Sequence, residues 1–148
     1  MSVAAVIFFL HKCINMRILI LDDVKNRHDI FDTVYKGHVV THCYNYHEFI
    51  TELDKCRYDI ISLDHDLSDF YDHASTYVDG WGNTQFYNGA HAANQVCCLS
   101  VNNMPEKVIV HSVNPSGGRN MVRILAKAGI NVELQPFSYP TNLFYPYP

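Results

Sequence analysis

Short apolar runs alternate with segments of helical period along most of the chain. This is the pattern of a parallel sheet covered on both faces by helices. The first unit is a strand, RILILDD (17–23), then a helix over about 26–35 that sets Ile30, Phe31 and Val34 on one face. The second pairs HVVTHCYN (38–45) with a helix over about 46–55 using Phe49, Ile50 and Leu53. A third strand, YDIISLD (58–64), precedes a polar and aromatic stretch over 65–88 and a helix over about 90–101. KVIVHSVN (107–114), a glycine-containing turn, a helix to about Lys127 with Gly129 as its C-cap, and a strand NVELQPF (131–137) complete the series.

Five strands and four helices in alternation, joined by right-handed crossovers, predict an α/β fold: a three-layer flavodoxin-like sandwich with a five-stranded parallel sheet of order 2-1-3-4-5. The domain spans 16–137, between a hydrophobic extension over 1–15 and a Pro/Tyr-rich tail over 138–148 whose three prolines forbid a regular helix. The run SVAAVIFFL (2–10) is too short to cross a bilayer and lacks the basic start of a secretion signal. Either the reading frame begins at Met16 or the run packs as an extra element. A loop as long as 65–88 is a functional lid or a disordered insertion.

At 148 residues, 48% hydrophobic and 18% charged, the chain fits one globular domain. Its formal charge of −4 excludes an extended nucleic-acid surface but leaves a small phosphorylated ligand open. Five cysteines, odd in number and without CxxC spacing, read as reduced core thiols of a cytoplasmic protein.

In such sheets, ligands bind outside the carboxyl ends of the strands, where the strand order reverses. Those ends carry Asp22 and Asp23, then Asp64, His65 and Asp66, then His111, Ser112 and Asn114. Adjacent strands lie about 4.8 Å apart, so the groups converge on one crevice. Carboxylates crowded there repel, and a divalent cation, Mg²⁺ or Mn²⁺, is the usual remedy; Asp22, Asp23 and Asp64 are the candidate ligands. The competing reading makes Asp23 a helix cap and leaves Asp22 solvated. In a continuing strand Asp64 and Asp66 share one face and His65 points to the other, so all three reach one pocket only if the strand ends near residue 64. Asp64, His65, Asp66 and His111 are then candidate catalytic groups, the two histidines serving as general base and general acid.

Ser112, Asn114 and the PSGGRN turn (115–120) offer phosphate contacts: a hydroxyl, an amide, the free N–H groups at Gly117 and Gly118, and the Arg119 guanidinium. Each is also ordinary capping chemistry. His28, His38, His42, His47 and His73 lack metal-ligand spacing and read as solvated or hydrogen-bonded, while His91 lies on the site's rim; zinc is not favoured. The aromatics Phe70, Tyr71, Tyr77, Trp81, Phe86 and Tyr87 either stack on a base or pack the long loop onto the domain, the second being the simpler reading.

Over roughly 16–137 the chain resembles a two-component receiver domain. LILDD matches the acidic pair, Asp64 the phosphoacceptor position, Ser112 the strand-4 hydroxyl and QPF (135–137) the strand-5 Lys-Pro-Phe pattern. It departs in carrying Gln135 in place of the phosphate-binding lysine, in the 65–88 insertion, and in lacking a fifth helix. The combination LDD…NRH, SLDHDL and VIVHSVNPSGGRNM is more similar to the cyclic-phosphate processing receiver domain family of bacteria and phages. That resemblance implies hydrolysis or binding of cyclic phosphates, with the polar set falling on Asp22, Asp23, Asp64, His65, Asp66, His111, Ser112 and Asn114.

The expected function is therefore a metal-assisted phosphoesterase acting on a small cyclic phosphate, such as a cyclic nucleotide or a 2′,3′-cyclic end. Two alternatives stand beside it: a non-catalytic protein that sequesters a cyclic nucleotide, as in phage counter-defence, and a receiver-like signalling module. Relay signalling needs a cation that Gln135 cannot supply, unless Arg119 or Lys107 substitutes.

Overall fold

The computed structural model describes residues 15–67 and 76–139. Its elements are β1 (Arg17–Leu21), α1 (Lys25–Val34), β2 (Val39–Cys43), α2 (Tyr46–Leu53), β3 (Ile60–Leu63), β4 (Thr76–Val78), β5 (Thr84–Phe86), α3 (Gly89–Cys97), a 3₁₀ turn (Val101–Asn103), β6 (Lys107–Val110), α4 (Pro115–Lys127) and β7 (Val132–Leu134). The main sheet is parallel throughout, with order β2-β1-β3-β6-β7. Counted along the five main strands, this is the expected 2-1-3-4-5.

The fully buried run Ile18–Leu21 occupies the sheet's middle, as a strand covered on both faces requires. Its alternate residues enter different cores. Leu19 and Leu21 join Leu63, Val108 and Val110 beneath α2, α3 and α4, in a cluster that includes Phe49, Val96, Met121 and Leu125. Ile18 and Ile20 face α1, where Phe31 is the buried partner and Tyr35, Ile60 and Phe137 pack at the margin. The sandwich is lopsided: among the described residues three helices cover one face and α1 covers the other. A cavity of about 250 Å³ lies on the α1 face, floored by Ser62, Ile109 and His111 and walled by Phe31, Tyr35 and Phe137.

The long connection after β3 is not wholly irregular. Residues 76–86 fold back as the antiparallel β4–β5 hairpin, closed at Gly82, whose φ of +82° suits glycine. Tyr77 turns inward, against Tyr87 and His91, and Tyr87 stacks on Tyr46 with centroids 4.0 Å apart. These aromatics pack the loop onto the domain, whereas Trp81 is 90% exposed and Phe86 projects outward. Phe70 and Tyr71, like His73, Cys13, the 1–14 segment and the tail from 140, lie outside the described residues. No helix among the described residues is long and apolar enough to cross a membrane. Cys43, Cys56, Cys97 and Cys98 are free thiols; Cys43 is buried, with its pKa pushed up to about 12, whereas Cys98 is exposed rather than in the core.

Candidate functional site

β1, β3 and β6 each stop one residue short of a polar side chain, and the parallel ladder carries on through that residue. The amide of Asp22 donates to the Cys43 carbonyl, that of Asp64 to Leu21 and that of His111 to Leu63. Asp22, Asp64 and His111 therefore stand side by side at the carboxyl edge. Strand alternation puts all three on the α1 face, with Ser62 two residues before Asp64 on the same side. One potential ligand atom from each of Asp22, Asp64 and His111 lies within 4.8 Å of the others, and all three residues are buried.

Each polar atom is held. His111 Nε2 lies 3.0 Å from Asp22 Oδ2 and Nδ1 lies 2.7 Å from Ser62 Oγ. An ionised Asp22 only accepts, so Nε2 carries the proton in the neutral ring and Ser62 donates to Nδ1. Serine, histidine and aspartate in this relation resemble a hydrolase triad, but Ser62 is fully buried; the bonds serve to orient the imidazole. Asp22 Oδ1 accepts from the Val24 amide at 2.8 Å, and Asp64 Oδ1 from the His65 amide at 2.7 Å. Burial pushes the Asp22 carboxyl up, but the His111 contact, the Val24 amide and Arg27 outweigh it and leave it below the usual carboxylate range. For Asp64 burial prevails, reinforced by the Asp22 charge, and the carboxyl is raised.

Sequence reasoning missed the cation. Arg27, in the first turn of α1, directs Nη1 to Asp64 Oδ2 at 3.1 Å and Asp22 Oδ2 at 3.3 Å, with its guanidinium carbon 4.9 Å above the Phe137 ring. Arg27 Nε is buried without a hydrogen-bond partner among the described residues, which costs about 1–3 kcal/mol. A basic residue five positions after Asp22, at the start of the helix that must fold back over that strand end, was the available signal. Ser62 was legible too, as the residue two before Asp64. The two cations considered instead lie elsewhere: Arg119 is exposed, and Lys107 pairs with Glu133 at 2.9 Å.

The remaining candidates form a rim. Because β3 ends at Leu63, the backbone is free to turn, and His65 Nδ1 meets Asp66 Oδ1 at 2.8 Å while Asn114 Nδ2 reaches the same carboxylate at 3.2 Å. The His65 hydrogen bond outweighs burial and holds the Asp66 carboxyl low. The His65 ring lies against Gly117, where an added Cβ would come within 2.5 Å of it. The proposed anion-binding amides are engaged: Gly117 N–H donates to Asn114 Oδ1 at 2.9 Å and Gly118 N–H to the Asn114 carbonyl at 2.8 Å. Ser112 is buried and accepts from the Asn114 amide at 3.1 Å, so its hydroxyl builds the turn into α4. Asp23 lies one residue outside the α1 N-cap position, which Val24 occupies, and is not in the three-residue group.

Below the cluster, His28 is hydrogen-bonded, the second of its two expected states, and buried. Its Nε2 contacts the Asp22 carbonyl at 2.7 Å and its Nδ1 meets His42 Nδ1 at 2.5 Å, while His42 Nε2 reaches Asp32 at 2.7 Å. Burial lowers the His28 pKa. These bonds fix the backbone from which the Asp22 side chain projects.

Residues 17–127 match the family described as the cyclic-phosphate processing receiver domain. The chain belongs to this family. Among solved structures it is similar to a Burkholderia pseudomallei response regulator with a phosphorylated aspartate, calcium and citrate (TM-score 0.54, 15% identity, covering 84% of this chain and 62% of that one). It is also similar to a Francisella response regulator receiver domain (TM-score 0.56, 20% identity, covering 84% and 87%). A third is the receiver domain of a Pseudomonas aeruginosa sensor histidine kinase with magnesium in its active-site cleft (TM-score 0.55, 16% identity, covering 84% and 88%). At these identities the likeness establishes the receiver-like fold; the chain spans less than two thirds of the Burkholderia protein. No curated protein matches the chain.

The Pseudomonas receiver domain holds magnesium in its active-site cleft, and this chain gathers Asp22, Asp64 and His111 at its own strand ends. Two carboxylates and an imidazole suit a divalent ion, but Arg27 Nη1 already bridges an oxygen of each carboxylate. By donor chemistry the residues fit an ion, and the guanidinium stands between the two oxygens that would face it.

Proposed function

We propose that the domain is a phosphoesterase acting on a small cyclic phosphate, with the reaction centred at the carboxyl ends of β1, β3 and β6. The observation that carries this reading is the buried group of Asp22, Asp64, His111 and Arg27, in a family tied to cyclic-phosphate processing. A cyclic diester opens when water adds to phosphorus and the leaving ester oxygen takes a proton, giving a monoester and a free hydroxyl. Arg27 supplies positive charge for the phosphoryl oxygens. His111, oriented by Ser62 and Asp22, has an N–H at Nε2 to give to the leaving oxygen. His65, whose Nδ1 is held by Asp66 and whose carboxylate partner is held by Asn114, keeps Nε2 to receive a proton from water. Asp64, which shares the Arg27 Nη1 with Asp22, holds that guanidinium beside the phosphate.

A divalent ion, Mg²⁺ or Mn²⁺, belongs to this reading as a charge-neutralising group that Asp22 and Asp64 would hold, with Asp23 beside them, which leaves His111 Nε2 its proton for the leaving oxygen. The ligand is a small phosphorylated or cyclic-nucleotide molecule met in the cytoplasm, or in the host cytoplasm for a phage-encoded chain. The contacts of Ser112, Gly117 and Gly118 give them a framework role, and Arg119 at the exposed start of α4 remains available to an outer phosphate oxygen.

The test is ³¹P NMR of the protein with 2′,3′-cyclic, 3′,5′-cyclic and cyclic oligonucleotide phosphates, with Mg²⁺, with Mn²⁺ and with EDTA. Conversion to a linear phosphate in wild type, lost in His111→Gln, is expected. Shifted signals without conversion would favour the sequestering alternative, for which the exposed Trp81 and Phe86 offer a stacking surface. A silent panel would leave the receiver-like reading, which rests on Asp64 standing at the end of β3.

A further inference from the structure

The carboxylate cluster carries its own counter-ion. We infer that Arg27 and a divalent metal ion are mutually exclusive occupants of the space between Asp22 and Asp64, so that Arg27 acts as a resident cation that a metal must displace. This goes beyond the phosphoesterase reading and does not depend on it.

Three observations carry the inference. First, a single nitrogen, Nη1, lies 3.1 Å from Asp64 Oδ2 and 3.3 Å from Asp22 Oδ2, so the positive charge sits between the two oxygens that an ion bridging these carboxylates would use. The other oxygen of each carboxylate is engaged by a backbone amide, of Val24 and of His65. Those amides fix the carboxylates and aim the Oδ2 atoms at one point.

Second, two cations cannot share that point. An ion bound there would lie within a few ångströms of the guanidinium, inside a buried pocket where like charges are poorly screened. One must leave when the other arrives.

Third, the guanidinium is held in a way that permits departure. Its contacts to the carboxylates run through one nitrogen instead of a two-pronged bridge, Nε has no hydrogen-bond partner among the described residues, and the plane rests on Phe137, in the segment after β7. A bidentate pair would hold more firmly. The Arg27 side chain is 14% exposed, so a path to solvent is at hand, whereas Asp22 and Asp64 are fixed by the sheet. The mobile partner is the arginine.

The experiment is Mn²⁺ binding followed by water-proton relaxation and electron paramagnetic resonance on the full chain, with no phosphate present, for wild type, Arg27→Gln and Arg27→Lys. Arg27→Gln is expected to bind Mn²⁺ at least tenfold more tightly than wild type, with Arg27→Lys close to wild type. Equal or weaker binding by folded Arg27→Gln, or binding by neither protein, would overturn the inference. Should Arg27→Gln fail to fold, the wild-type arginine Nε–H resonances titrated with Mg²⁺ decide instead. A resonance near the Phe137 ring that moves in step with changes at the Asp64 carboxyl carbon supports exchange, and its indifference while that carbon responds sinks it. Because the readout is metal occupancy, failure here leaves turnover of cyclic phosphates untouched, and the reverse.

Discussion

Ser62 Oγ lies 2.7 Å from His111 Nδ1 across the β3–β6 boundary, and Ser62 has no accessible surface at all. A hydroxyl so placed orients the ring and cannot meet a substrate directly. Ser62→Ala strips Nδ1 of its donor and leaves a buried acceptor unsatisfied, a cost of about 1–3 kcal/mol. We expect urea unfolding to show that loss. Turnover of any cyclic phosphate the wild type hydrolyses should fall on the order of 10²-fold, as for a misplaced catalytic group. Unchanged turnover would show that His111 needs no such anchor.

The two central carboxylates should respond unequally to neutralisation. Asp22 has a carboxyl held below its ordinary value by His111, the Val24 amide and Arg27 against the pull of burial, so its ionised form is favoured in the folded state. Its contribution is present above the unfolded value of about 3.9 and is lost as pH falls through the lower folded value. Asp64 is raised by burial, so the fold binds its proton more readily than the unfolded chain does, and stability is lost as pH rises from the unfolded value of about 3.9 through the raised value. At pH 7 Asp22→Asn is therefore expected to destabilise the domain by about 1–3 kcal/mol. Asp64→Asn should cost less than Asp22→Asn, because relief of the Asp64 desolvation offsets part of the lost Arg27 contact. At pH 3 the Asp22→Asn deficit should shrink. Chemical denaturation at the two pH values checks both, and a loss at pH 7 in Asp64→Asn as large as that in Asp22→Asn would contradict the assignment.

The strand order, and with it the meeting of the strand ends, was legible in the sequence. The parallel order 2-1-3-4-5 followed from the βα alternation, and once that order holds, residues ending β1, β3 and β6 must be neighbours. The expected metal-ligand set Asp22, Asp23 and Asp64 rests on strand-end position and crowded charge, and period-2 alternation also brings His111 beside Asp22 and Asp64. Ser112, one residue on, faces the other core, which is why its hydroxyl joins a turn instead. Arg27 was hidden for a different reason. Whether a helix residue reaches back over a strand end depends on the helix's position above the sheet, which residue spacing does not encode. The β4–β5 hairpin was obscured because its three-residue strands carry too few alternations to stand out from loop sequence.

Glycines beside the site give a graded test of packing. A Cβ at Gly89 would sit 1.9 Å from the Asp64 carbonyl oxygen, a backbone atom that cannot step aside. At Gly117 the obstacle is the His65 ring at 2.5 Å, which can rotate, and at Gly80 nothing lies within 4 Å. Gly89→Ala should lower stability by about 3 kcal/mol or more, at the upper end of overpacking costs, and Gly117→Ala by about 1 kcal/mol. Gly80→Ala should stay within about 0.5 kcal/mol of wild type. Thermal melts give the ranking, and ¹H–¹⁵N spectra of Gly117→Ala should show the His65 and Asp66 signals displaced.

Phosphorylation of Asp64 by a small donor separates this chain from a relay receiver. A relay stabilises its aspartyl phosphate with a cation from the strand-5 position, which here is Gln135. That residue is exposed and its side-chain amide donates to Glu133, while Lys107 is paired with the same glutamate. Asp64 Oδ2 is bonded to Arg27 and Oδ1 to the His65 amide, which leaves a weaker nucleophile than a free carboxylate. Incubation with acetyl phosphate and Mg²⁺ should therefore leave no lasting phosphoryl adduct by intact mass. Arg27→Gln should not gain one either, since removing the guanidinium frees the oxygen but takes away the nearest positive charge. An adduct that forms in wild type and disappears in Asp64→Asn would make the domain a phosphoacceptor, with Arg27 in the lysine's role, and would move the cyclic-phosphate reading from first place to second.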